Sequence, residues 1–128
     1  MDENAIAKVV VDAAYRVHVS LGPGLLESAY VVALNYELQK RGLYVETEVP
    51  IPLIYDGVVL QEMAYRADMI VEDLVVLQLK SVEKLLPVHT KQLLTYLRLL
   101  DKRLGLLINF GASRIKRNIV RVANGMPD

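Results

Sequence analysis

At Gly42 the spacing of apolar residues changes from helical to alternating, and this switch does most to constrain the fold. Upstream, Ile6, Val9, Val10, Ala13 and Val17 recur at helical intervals, which predicts a helix over about residues 4–20. Leu21-Gly22-Pro23-Gly24 then breaks it, because two glycines and a proline do not propagate a helix. A second helix is expected over about residues 25–41, with Gly42 as its left-handed cap. From Leu43 the period is two. Residues 44–55 read as a strand, and Asp56-Gly57 is a strong hairpin signal. Pro50 and Pro52 lie two apart and lack donors toward the same side, which places this strand at a sheet edge. Strands are expected over residues 58–64, 65–71 and 74–80. Pro87 then opens a helix reaching about Lys102, and residues 104–110 suit a buried strand. Residues 114–123 fit strand or helix equally. The whole reads as a single α/β domain over residues 1–128, a mixed central β-sheet flanked by helices.

A chain of 128 residues with 53% hydrophobic content can build one real core, and little more. No apolar run approaches the roughly eighteen residues that signal a membrane helix. The start, Met1-Asp2-Glu3-Asn4, is acidic and lacks the basic opening of a secretory signal. With no cysteine there are no disulfides or thiolate metal sites, and a cytoplasmic location is the expectation. Net charge is zero but unevenly spread. Residues 1–79 hold five Lys/Arg against twelve Asp/Glu, and residues 80–128 hold ten against three. That asymmetry fits a polyanionic partner, and equally an ordinary solvated surface.

The chemistry concentrates on Asp68 and Gln78-Leu79-Lys80. Residues 78 and 80 share one strand face, while Leu77 and Leu79 point the other way. A lysine projecting from so apolar a strand needs a partner, and Asp68 is the candidate. A three-residue turn at 72–74 would set Asp68 opposite Gln78. A two-residue turn would oppose it to Leu77 and send Gln78 to the other face.

An aspartate followed about ten residues later by an acidic residue, a spacer and lysine is the signature that this segment resembles, that of PD-(D/E)XK nucleases. Gly24-Leu25-Leu26-Glu27-Ser28-Ala29-Tyr30 is similar to the motif of the small GxxExxY family within that superfamily. Gln92 and Tyr96 resemble the Gln-x-x-x-Tyr motif of nucleases similar to RecB, and residues 105–111 look like the family's last strand. Together these cover about residues 6–122. The resemblance implies a restriction-endonuclease-like core and Mg²⁺- or Mn²⁺-dependent hydrolysis of phosphodiester bonds in DNA or RNA. It implies Glu27, Asp68, Gln78 and the Leu79 carbonyl as metal ligands. Lys80 would orient water or stabilise charge on the phosphate. Gln92, Tyr96, Tyr30 and Lys84 would contact substrate. Gln78 departs from the expected glutamate and removes a negative charge, although Gln-x-Lys resembles the variant of Mrr-type restriction nucleases.

Plainer readings stand beside these. Asp68 and Lys80 would also be explained as a buried ion pair. Glu27 would be explained by a helix dipole, and Tyr30 and Tyr96 as core residues. His18 and His89 lack metal-ligand spacing, and His89 is expected only as a neighbour of the site, on the face of Gln92 and Tyr96. The competing function is a catalytically inactive nuclease-fold module that binds nucleic acid or a protein. Oligomeric state is open; a homodimer would add surface for a long duplex.

Overall fold

The computed structural model describes residues 1–127. Its elements run α1 (Glu3–Leu21), α2 (Glu27–Lys40), β1 (Val45–Tyr55), β2 (Val58–Val71), β3 (Val75–Lys80), α3 (Pro87–Leu100), β4 (Leu104–Asn109), a 3₁₀ turn (Ile115–Asn118) and β5 (Ile119–Ala123). Asp2 starts α1, its carboxylate accepting from Ala5 N–H at 2.8 Å. At the end of α2, Gly42 adopts φ +85°. Leu43 N–H then reaches Leu38 C=O at 3.1 Å and Gly42 N–H reaches Gln39 C=O at 2.9 Å. These are the two bonds of a Schellman stop, and the buried pair Leu38 and Leu43 supplies its apolar contact.

The strands form one sheet in the order β1-β2-β3-β4-β5. All neighbours are antiparallel except β3 and β4, which are parallel and joined across α3. The proline-bearing β1 is an edge strand, as expected. Asp56 and Gly57 both take positive φ, the geometry of a two-residue hairpin turn. The two segments expected at 58–64 and 65–71 are one strand. It is longer than its partner, and the mismatch is absorbed by register shifts between Ile51 and Leu53 and between Leu53 and Ile54. The tail is a 3₁₀ turn and then a strand, which resolves the ambiguity at 114–123. Helix α3 ends at Leu100, where Asp101 turns left-handed at φ +54°.

Two helices cover one face of the sheet and one covers the other. Ile6, Val10, Ala13 and Val17 of α1 pack with Tyr30, Leu34 and Leu38 of α2 over Met69, Leu77, Leu79 and Leu106. On the opposite face Leu93, Tyr96 and Leu97 of α3 cover Ile70, Val76 and Leu107. Both faces of β3 and β4 are thus covered, which is why they read as continuous apolar runs. Among the described residues no helix is long and apolar enough to cross a membrane. The charge asymmetry partly cancels in the fold, since Lys102 pairs with Asp73 and Arg103 with Glu3.

Candidate active site

The β2–β3 ladder covers only Met69↔Leu77, Ile70↔Val76 and Val71↔Val75. The turn between the strands therefore spans residues 72–74, the length that aligns Asp68 with Gln78. Beyond Met69 and Leu77 the strands part. β2 stays bonded to β1 and β3 to β4, so a fork opens in the middle of the sheet. Backbone groups at such an opening need new partners. Leu79 N–H donates to Asp68 Oδ2 at 2.7 Å. Asp68 N–H donates, at a longer 3.3 Å, to the amide oxygen of Gln78. Asp68 and Gln78 thus bridge the gap where the ladder stops.

Glu27 is brought to the fork by the turn before α2. Gly24 takes φ +110°, a conformation that disfavours any side chain. Three residues beyond Glu27, the Tyr30 hydroxyl donates to Gly22 C=O at 2.5 Å and accepts from Leu25 N–H at 3.1 Å. The Tyr30 ring is fully buried and stacks 4.5 Å from Phe110. The Gly-x-x-Glu-x-x-Tyr spacing therefore has a physical meaning. Glycine turns the chain, tyrosine ties the turn shut, and Glu27 is displayed in the first helical turn. This corrects the expected role of Tyr30, which holds the loop and has no surface left for substrate. Tyr30→Phe is expected to cost about 1–3 kcal/mol, because Gly22 C=O and Leu25 N–H both lose their partner; urea unfolding checks it.

Two clefts, of about 720 and about 550 Å³, meet at this point and share Glu27, Glu48, Arg66 and Asp68 on their walls. Burial pushes the Asp68 carboxyl up, the Leu79 N–H pulls it down, and the nearby Glu27 charge raises it again. The Arg66 and Lys80 charges lower it by less. No ion pair joins Asp68 to Lys80 among the described residues. The simple buried-pair account of these two residues is therefore not what the structure shows.

Lys80 is held by its backbone. Phe110 N–H donates to Lys80 C=O at 2.8 Å. Val82, two residues further on, is clamped by Asn109, which is fully buried. Its Oδ1 accepts from Val82 N–H at 3.1 Å and Gly111 N–H at 3.0 Å, and its Nδ2 donates to Val82 C=O at 2.9 Å. Ser81 Oγ donates to Leu25 C=O at 2.6 Å, which ties the end of β3 to the loop that presents Glu27.

The remaining expected contacts fare differently. Tyr96 is 5% exposed, and its ring lies 5.5 Å from Tyr65. Burial raises its hydroxyl, with smaller contributions from Tyr65 and Asp68, so it is a core residue beside the site. Gln92 and Lys84 are exposed, and no hydrogen bond or ion pair ties either to the fork among the described residues. His89 does not serve the site. Its Nδ1 accepts from Leu86 N–H at 3.1 Å and caps α3. His18 is buried and bonds Ala112 C=O at 2.7 Å. Sequence reasoning missed Glu48, Arg66, Ser81 and Asn109. Only Asn109 carried a signal, as the lone polar side chain in an otherwise apolar strand.

Among the described residues no group of three His, Cys, Asp or Glu is placed to hold a metal ion by itself. The fork instead offers the carboxylates of Glu27 and Asp68 with the Gln78 amide oxygen on one cleft wall, and Leu79, whose N–H already meets Asp68, adds a carbonyl from the same strand. These are hard oxygen donors, and a cation there would offset the burial, and the smaller Glu27 repulsion, that raise Asp68. The donor set therefore fits a hard divalent ion. A family model described as PD-(D/E)XK nuclease superfamily matches residues 4–122. No curated protein and no solved structure matches the chain.

Proposed function

Because this chain belongs to the PD-(D/E)XK nuclease superfamily, we propose that it hydrolyses phosphodiester bonds in DNA or RNA at the β2–β3 fork, with Mg²⁺ or Mn²⁺ as cofactor. Within the superfamily we place it in the GxxExxY branch, on the strength of the Gly24, Glu27 and Tyr30 arrangement. The observation that carries the reading is the fork itself. It gathers a half-buried carboxylate, an amide oxygen and a second carboxylate around one cleft, with Lys80, which makes no ion pair among the described residues, on the strand that carries Gln78.

Asp68, Glu27, the Gln78 amide oxygen and the Leu79 carbonyl would hold the ion. Bound there, it would polarise a phosphoryl oxygen and favour hydroxide from water at neutral pH. Lys80 donates hydrogen bonds toward charge developing on the phosphate, or orients the attacking water. The water oxygen forms its bond to phosphorus as the bond to the leaving sugar oxygen breaks. Gln78 keeps the oxygen but lacks the charge of the usual glutamate, so this chain holds its cation more weakly than a glutamate version would.

The test uses labelled single- and double-stranded DNA and RNA with Mg²⁺, Mn²⁺ or EDTA. Cleavage is expected with either metal and none with EDTA. Lys80→Ala is expected to lower the rate by about 10²–10³-fold. Gln78→Glu is expected to lower the Mg²⁺ concentration needed for half-maximal rate by about tenfold. The neutral Gln78 favours a second reading, a catalytically inactive module that binds nucleic acid or a protein. Salt-sensitive binding without cleavage of any substrate would establish it in place of the first.

A further inference from the structure

The β1–β2 hairpin outruns the body of the domain. The core beneath α3 reaches Ile51 and stops there. Beyond it Tyr55, Leu60 and Met63 are 72%, 59% and 74% exposed, and Ile54, Val58 and Val59 are open as well. Ile54 pairs with Val59 and Tyr55 with Val58. Directly opposed residues share a face and successive ones alternate, so both faces of this arm are apolar. A solvated antiparallel ribbon ordinarily keeps one face polar. An arm without a polar face remains soluble only if something covers it.

We infer that the arm, residues 53–65, is the interface through which two copies of this chain dimerise. Its chemistry selects the occupant. Between residues 53 and 65 there is no Lys or Arg, and the only charges are Asp56 and Glu62. A nucleic acid or an anionic membrane surface would meet only negative charge there. A second copy brings only the same two carboxylates, both exposed and so able to stay at the solvated rim of the contact. The exposed apolar residues lie on both faces of the arm, so a partner that clasps it is needed for their summed area to approach the roughly 800 Å² that one side gives to a standard interface. A two-fold contact uses the same patch on both chains, so the arm suffices for both sides. Pro50 and Pro52 and the register shifts at the base of the arm deny a continuous edge for strand addition. The contact is therefore side chain against side chain, arm over arm.

Light scattering on the eluted full-length chain tests this. At tens of micromolar the expected mass is about twice the 14.4 kDa of one chain. Leu60→Glu and Tyr55→Ser, each at an exposed position, are expected to weaken the dimer at least about 30-fold and to elute as folded monomers. Val32→Lys, on the equally exposed outer side of α2, leaves the dimer intact. A parent chain that is monomeric up to about 100 µM overturns the inference, whatever the variants do. So does a dimer that survives both arm substitutions. Lipid vesicles added to a monomeric parent would then show whether the arm meets a membrane instead. None of these outcomes depends on nuclease activity.

Discussion

Asp68→Asn is expected to remove metal-dependent cleavage by about three orders of magnitude while leaving the fold at least as stable at pH 7. The two halves of this expectation have separate causes. Asparagine keeps an oxygen that accepts from Leu79 N–H, so the bridge across the fork persists. It removes the charge that a cation needs. It also removes a charge that the fold tolerates poorly, since burial and Glu27 push the Asp68 carboxyl above its ordinary 3.8. A carboxyl raised in this way binds its proton more tightly folded than unfolded. Its stabilising contribution is complete below the unfolded value and is lost as pH rises through the folded one. The melting temperature of Asp68→Asn should therefore gain on the parent as pH rises from below 3.8 toward neutrality. Adding Mg²⁺ or Mn²⁺ should close that gap by stabilising the parent alone. Calorimetry across pH, with and without metal, reads both effects. A metal-induced rise in the variant equal to that in the parent would remove Asp68 from the ligand set.

Gly111→Ala should cause the largest loss of stability of any single methyl added to this chain near the site. A Cβ there would lie 2.5 Å from Val82 N, 2.6 Å from Val82 O and 2.7 Å from Ser81 C. These are backbone atoms, Val82 being already fixed by two hydrogen bonds to Asn109, so no flexible side chain can swing aside. The expected cost is about 3 kcal/mol, or roughly 10 °C in melting temperature. The strand end that must move carries Lys80 one residue upstream. Cleavage by the molecules that remain folded should therefore fall too, with a smaller change in metal affinity, since Asp68 stands on β2, the other arm of the fork. Unfolding by urea gives the first quantity, and metal titration of the rate at low temperature gives the second.

The features legible in sequence are those decided by neighbours along the chain. The Gly42 stop, the Asp56-Gly57 turn and the edge placement of the Pro50 strand each depend on a few consecutive residues, and each appears as expected. The alignment of Asp68 with Gln78 was legible only as one of two choices, since the sequence allows a two- or a three-residue turn and the structure has the three-residue one at 72–74. What the sequence hid depends on distant contacts. The merger of two expected strands into β2 rests on shifts against β1 that no pattern within β2 announces. The Tyr30 hydroxyl looked available to a substrate, yet it is engaged by Gly22 and Leu25, whose carbonyl and amide reach it only once α2 has formed. His89 shares a helical face with Gln92 and Tyr96, which suggested the site, but its ring turns back onto Leu86. The clamp of Asn109 and Gly111 on residues 81 and 82 joins segments 27 residues apart, beyond any local reading.

The fork also separates the site by order of assembly. β1, β2 and β3 follow one another through tight turns, so the pairings that set Asp68 beside Gln78 close short loops. β4 reaches β3 only after a helix intervenes, and it is β4 that brings Asn109 and Gly111 onto the residues after Lys80. Longer loops close at greater entropic cost and so, on average, later. A folding chain caught between these events would already hold Asp68 beside Gln78 while the residues that follow Lys80 were still free.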